Sequence, residues 1–170
     1  GLTPLTGLVM GTRSGDLDPA VVTFLQQQEG LSAAEIDTIL NKKSGLLGVS
    51  GISSDMRDID AARAAGNEHA REAYEMFIHR LVQYVGGYYF LLGGADAILF
   101  TGGIGENSPE TRERIVGALG VVGCRLDEAA NQNRGKEIVI SKPGSVPVAA
   151  VIPTNEELMI AMETVAICDK

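Results

Sequence analysis

An α/β chain, a sheet layered with helices, is what this sequence predicts. Short apolar runs bounded by glycine alternate with segments opened by helix-capping residues, and one long segment carries apolar residues at spacings of three and four. With 170 residues, no low-complexity linker and no internal repeat, the chain reads as one unit. That length can bury roughly 70% of its unfolded surface without disulfide or metal staples.

The elements follow in order. The first fifteen residues mix Leu5, Leu8, Val9 and Met10 with Gly and Thr and read as a loop. Asp18-Pro19 opens a helix, because Asp accepts from free N–H groups and Pro suits the first helical position; the helix runs to Glu29 and stops at Gly30. Ser32 and Glu35 form a capping-box pattern for a second helix ending near Lys43. Leu46 to Ile52 is apolar and broken by glycine, and Ser53-Ser54-Asp55 caps a helix to Ala65. Asn67 begins the longest helix, to about Leu92. One stripe holds Ala70, Tyr74, Phe77, Leu81, Tyr84 and Tyr88, and another holds Ile78, Val82, Val85, Tyr89 and Leu92, so burial on two sides is expected. The aromatic residues at 84, 88, 89 and 90 read as core, and Gly86-Gly87 weakens the helix unless a neighbour packs close. Asp96 to Thr101 has the pattern of a strand buried on both faces. Ser108-Pro109-Glu110 starts the next helix. Val121–Leu126, Glu137–Ile140 and Val148–Ile152 are strand candidates, and Thr154 with Glu157 forms a capping box for the terminal helix.

Composition narrows the function. Against 14 Lys and Arg stand 22 Asp and Glu, a net charge of −8. Nucleic acid and anionic membranes, which need clustered cations, are disfavoured as partners. Cys124 and Cys168 match no metal or redox spacing and read as ordinary buried or half-buried thiols in a reducing compartment. No basic segment followed by an apolar run opens the chain, so no signal peptide is expected, and Leu81–Leu92 is too short to span a bilayer. His69 and His79 are ten residues apart, about 1000° of helical rotation, and cannot share a metal on one straight helix. Glycine is the unusual count: 21 where average usage gives about 12. The excess is clustered, as where backbone approaches a ligand.

Four segments could carry chemistry. Phe100 to Ser108 (FTGGIGENS) lies between a strand and a capped helix, as a phosphate or nucleoside site would, or simply as a tight strand-to-helix turn. It is neither a dinucleotide fingerprint nor a P-loop. In Met10 to Asp16 (MGTRSGD), Arg13 suits a phosphoryl oxygen, or pairs with Asp16 or Asp18. In Ser53 to Asp58, Ser54 or Asp55 is a helix cap, or Asp55 and Arg57 touch a ribose or base. In Pro153 to Glu157, Glu156 is a carboxylate at the end of a strand, suited to Mg²⁺ or to the helix dipole.

Taken together, Gly1 to Pro19, Ser44 to Asp58, Phe100 to Ser108 and Ile152 to Met159 resemble acetate kinases, the acetokinase branch of the actin-like ATPase superfamily. The resemblance covers essentially the whole chain. It implies transfer of the γ-phosphoryl of ATP to acetate, giving acetyl phosphate and ADP, with Mg²⁺. It places Arg13 on the transition-state-stabilising arginine and Asp55, Met56 and Arg57 on an adenosine-contacting segment. Gly103, Ile104, Gly105, Glu106 and Asn107 fall on the adenosine loop, and Glu156 on the magnesium carboxylate.

The same resemblance implies a ribonuclease H-like, actin-type ATPase domain with a mixed sheet flanked by helices. Residues 1–170 are expected to be the C-terminal nucleotide-binding domain of a two-domain cytoplasmic enzyme, its N-terminal domain absent and its turnover alone negligible. A homodimer formed largely through this domain is implied, with the 67–92 helix as a candidate surface. A propionate kinase fragment, or a non-catalytic nucleotide-binding or dimerisation module, is the alternative.

Overall fold

The computed structural model describes residues 1–168; Asp169 and Lys170, the last positions of the expected 1–170 domain, lie outside the described residues. The chain divides into two compact units, Gly1–Tyr88 and Tyr89–Lys170.

The first unit is helical. A loop over residues 1–19 leads into α1 (Ala20–Gln28), where Asp18 accepts from Ala20 N at 2.9 Å, and the chain turns at Gly30 with φ +68°. Helix α2 (Ala33–Lys42) begins with the predicted capping box of Ser32 and Glu35. The glycine-broken stretch after it is a short helix, α3 (Gly45–Ser50). Its first amides find acceptors outside the helix: Leu46 N donates to Met10 O at 3.0 Å and Leu47 N to Gly11 O at 2.9 Å. Helix α4 (Met56–Ala64) starts at Asp55 as expected, and α5 (Glu68–Leu91) starts where Asn67 Oδ1 accepts from Ala70 N at 2.9 Å.

Burial on α5 is one-sided and stops early. Ala70, Ala73, Tyr74, Phe77 and Ile78 are buried, at the spacing of a single helix face. The expected second stripe and aromatic core are not buried beyond Ile78: Tyr84, Val85 and Tyr89 are half-buried, and Tyr88, Phe90, Leu91 and Leu92 are exposed. No atom comes within 4 Å of a Cβ built at Gly86 or Gly87, so the close neighbour that would compensate for them is absent among the described residues.

The second unit holds the sheet. Strand β1 (Ala97–Phe100) runs parallel to β3 (Val148–Val151), and β2 (Ile138–Val139) pairs antiparallel with β3, giving a mixed sheet in the order β1-β3-β2. The expectation that β1 is buried on both faces fails: as an edge strand, with Leu99 55% exposed, it buries only Phe100. The strand candidate 121–126 is also corrected. Residues Leu119–Val122 form a 3-10 turn closed by Gly123 at φ +96°, and only Leu126 bridges to Ser141. Helices α6 (Gly102–Asn107), α7 (Pro109–Ala118), α8 (Glu128–Asn131) and α9 (Glu156–Cys168) complete the unit. Ser108 caps α7, with Pro109 in its first turn, as predicted.

The cap of α9 is not Thr154. Asn155 Oδ1 accepts from Leu158 N at 3.0 Å, so the third helical position is Leu158 and the Thr154–Glu157 box does not form. Cys124 is buried, which pushes its thiol pKa up, whereas Cys168 is exposed; both are free. No described helix is long and apolar enough to cross a membrane.

Candidate functional site

In the first unit the Arg13 loop is fastened from both sides. Met10 N donates to Arg13 O at 3.1 Å, closing a turn, while Ser14 N reaches Leu40 O and Ser44 N reaches Thr12 O, both at 3.0 Å. The Thr12 hydroxyl donates to Asn41 O at 2.9 Å. Gly45 is required where these strands of chain meet: its φ is +63°, and a Cβ there would lie 2.1 Å from Met10 O.

The fastened loop presents a cation without a counter-ion. Arg13 Nη1 contacts only Met10 Sδ, at 3.8 Å, and no described carboxylate pairs with it. The alternative partners are occupied. Asp16 accepts from Thr6 Oγ1 at 2.9 Å, Gly7 N at 2.8 Å and the Tyr84 hydroxyl, and Asp18 caps α1. The Tyr84 hydroxyl, above all, holds the Asp16 carboxyl below the usual range. Beside Arg13 is an open hollow of about 810 Å³, lined by Gly11, Thr12, Asp37, Asn41, Lys42 and Ser54 among others.

Asp55, Met56 and Arg57 directly follow Ser54, which lines the hollow, but are engaged locally. Asp55 accepts from Arg57 N at 2.9 Å as a helix cap and from the Arg57 guanidinium, with Nη2 at 2.6 Å. The Arg57 hydrogen bonds lower the Asp55 carboxyl to about 2. The Met56 side chain is buried, leaving its main chain to meet any ligand.

In the second unit, topology brings the other candidates together. Because β1 and β3 are parallel and in register from Ala97↔Val148 to Phe100↔Val151, their carboxyl ends lie side by side. The FTGGIGENS turn leaves one and the PTNEE segment leaves the other, the place where open α/β sheets put ligand groups. The glycine run is itself helical, as α6, entered through Gly102 at φ +70°. Gly103 is exposed, with no atom within 4 Å of a Cβ built there.

Glu106 joins the two segments. Its Oε1 accepts from Gly102 N and Thr154 N, each at 2.9 Å, and from Thr154 Oγ1 at 3.1 Å. These bonds, the Thr154 amide first, hold its carboxyl below the ordinary value. The Gly102 amide is therefore taken, which removes the first N–H of α6 from any phosphate. Asn107 Nδ2 donates to Gly103 O at 3.0 Å, and Ile104 is half-buried. Glu156, first residue of α9, is exposed. No group of three or more His, Cys, Asp or Glu able to hold a metal occurs among the described residues.

One residue escaped the sequence reading. Arg112, on α7, is fully buried and uses every guanidinium N–H: Nε on Asn131 Oδ1, Nη1 on the carbonyls of Gly105 and Glu106, and Nη2 on those of Asn131 and Asn133, at 2.6–2.9 Å. Burial lowers its pKa. The one sequence signal was Pro109, which has no N–H to give the preceding turn.

A parallel strand pair with a glycine-rich helical turn at one carboxyl end and an acidic helix start at the other defines an α/β protein with its ligand-facing groups at the strand ends. The chain belongs to the Acetokinase family, whose profile matches residues 1–162. It is 56% identical over 164 residues to the acetate kinase of Desulforamulus reducens, covering 96% of this chain and 41% of that protein. The crystal structure of Porphyromonas gingivalis acetate kinase superposes with a TM-score of 0.93 at 51% identity, over 99% of this chain and 42% of that one. A propionate kinase from Francisella tularensis gives 0.88 at 44% identity, over 96% and 41%. The chain thus spans less than half the length of these relatives.

Proposed function

We propose that this chain is the C-terminal, nucleotide-side domain of a two-domain, cytoplasmic acetate kinase that exchanges a phosphoryl group between ATP and acetate. The observation that carries the reading is Arg13: a guanidinium without a carboxylate partner among the described residues, on a loop fastened at four main-chain atoms, in a chain of the Acetokinase family. In the reaction an acetate oxygen bonds to the γ-phosphorus, the bond to the β–γ bridging oxygen breaks, and ADP leaves. Arg13 meets the charge that grows on the equatorial oxygens. Gly103, Ile104, Gly105, Glu106 and Asn107 are assigned to the adenosine loop, where Gly103 is the open position, Gly105 packs against Phe100 and Glu106 shapes the turn; Asp55, Met56 and Arg57, in the first unit, are assigned as a further adenosine-contacting segment.

Magnesium fits the donor set on one count. Mg²⁺ bound with nucleotide takes one or two protein carboxylates, the rest of its shell being phosphate oxygen and water, and Glu156 is an exposed carboxylate at the right strand end. The ion would offset phosphate charge. The sheet with its helices is read as the ribonuclease H-like, actin-type ATPase fold, and the exposed apolar residues of α5 as part of a homodimer surface.

Calorimetric titration of this chain with Mg-ADP tests the reading. A millimolar constant, weakened by Asn107→Ala, is expected; no heat would refute a nucleotide site. Acetate- and ATP-dependent hydroxamate formation should be negligible for this chain alone. Because the Francisella propionate kinase is so similar, acyl choice is to be measured on the whole enzyme with both acids.

A further inference from the structure

We infer that Arg112 and Arg134 are positioning residues that close the carbonyl end of α6 and hold the Gly103–Asn107 turn in its receiving geometry for a nucleoside. The inference rests on the nucleotide reading above. A helix of six residues is too short to hold itself together in water. The residues that follow provide poorly for its end, although a distant amide, Gly135 N, donates to Glu106 O at 3.2 Å. Ile104 O is met by Ser108 N at 2.9 Å, but the next carbonyl, Gly105 O, would look to position 109, where proline has no N–H. Ser108, at φ −111° and ψ 91°, turns the chain out of helical geometry there.

Guanidinium groups supply what the following amides do not. Arg112 Nη1 donates to Gly105 O at 2.8 Å and Glu106 O at 2.9 Å, and Arg134 Nη1 donates to Asn107 O at 2.7 Å. The other edge of the Arg112 fork holds the carbonyls of Asn131 and Asn133, so one planar group ties α6 to the end of α8 and the chain just after it. A buried cation without a carboxylate partner is costly, and an apolar side chain would fill the same volume at less cost. What an apolar residue, or the single ammonium of lysine, does not supply is a rigid fork with donors on two sides. The geometry of α6 is what that cost secures, and α6 carries Gly103 to Asn107.

The test uses the 170-residue chain with Arg112→Lys, Arg112→Ala and Arg134→Gln, read by Mg-ADP titration, far-UV circular dichroism and amide hydrogen exchange. Arg112→Lys should weaken Mg-ADP by about tenfold, the loss of a charged hydrogen bond or two, with an unchanged spectrum and faster exchange confined to residues 103–108. Arg134→Gln, at an exposed position, should move both readouts the same way by a smaller factor. Methylguanidinium should restore affinity to Arg112→Ala. Wild-type affinity in both Arg112→Lys and Arg134→Gln would overturn the inference. If Arg112→Lys does not fold, Arg134→Gln decides alone. If the wild-type chain gives no heat with Mg-ADP, the nucleotide reading fails, and unchanged exchange at 103–108 in the variants would then overturn the positioning role separately.

Discussion

Glu106 and Thr154, 48 positions apart, meet at a single carboxylate oxygen that takes both the main-chain N–H and the hydroxyl of Thr154. Because these bonds favour the charged form, the Glu106 carboxyl titrates below its ordinary 4.5. A depressed folded value contributes stability that is complete above the unfolded pKa and fades as pH falls through the folded one. Thr154→Val removes the hydroxyl and keeps the amide. A carboxyl-detected NMR titration should show Glu106 moving part of the way back towards 4.5 in that variant; an unmoved titration would contradict the shared-oxygen geometry.

Asp55 gives a second acid-side prediction with a definite window. Its carboxyl lies at about 2 against an ordinary 3.8, chiefly through hydrogen bonds from Arg57. The stability it contributes is therefore present above pH 3.8 and lost between there and about 2. Urea midpoints measured from pH 5 to pH 2 should fall less steeply for Asp55→Asn than for the wild type. The pair is solvent-exposed, so the difference should shrink with added salt.

Two glycines with nearly equal φ should respond differently to alanine. Gly51 has φ +66° and open space around it, so Gly51→Ala should cost only the left-handed backbone penalty, about 1 kcal/mol. Gly45 has φ +63°, but its Cβ would meet Met10 O at 2.1 Å and Arg13 O at 2.8 Å. Gly45→Ala must move the Arg13 loop and should cost about 3 kcal/mol or more. Equal urea midpoints for the two variants would show that the loop is not packed as described.

Arg13→Ala separates stability from chemistry. Since Arg13 has no ion pair to lose among the described residues, the unfolding free energy of the variant should stay within the range of a surface change, about 0.5 kcal/mol of the wild type. In the full-length enzyme proposed above, kcat should fall by about 10²-fold or more while the nucleotide constant changes little. Equal losses in both would mean that Arg13 only positions substrate.

Helix starts were legible in the sequence because caps are local: Asp18, Ser32, Asp55, Asn67 and Ser108 act within four residues of themselves. That a helix follows each of the strands ending near Phe100 and Val151 was legible as well, but their parallel pairing, which sets FTGGIGENS beside PTNEE, was not. What was not legible depended on partners far along the chain. Helix α3 exists because the carbonyls of Met10 and Gly11 receive its first amides. Thr154 fits a cap by type, but Glu106 claims it, and the neighbouring asparagine takes the capping role. β1 has a buried strand's composition yet lies at the sheet edge. Arg112 carries no motif of its own, and the fold reveals that its five donors divide between the end of α6 and the segment from Asn131 to Asn133.

The bonds that fix Met10 to Ser14 against α2 and α3 bear on when disorder is lost. A free five-residue loop would surrender about 1 kcal/mol or more per residue on meeting an anion. Here that entropy is given up during folding, before any ligand arrives, and the affinity of the site is spared it. Substitutions that loosen this fastening, such as Thr12→Val, which takes away the hydroxyl that donates to Asn41 O, would then weaken binding chiefly through entropy. Calorimetry would register them as a more unfavourable entropy of binding at nearly constant enthalpy.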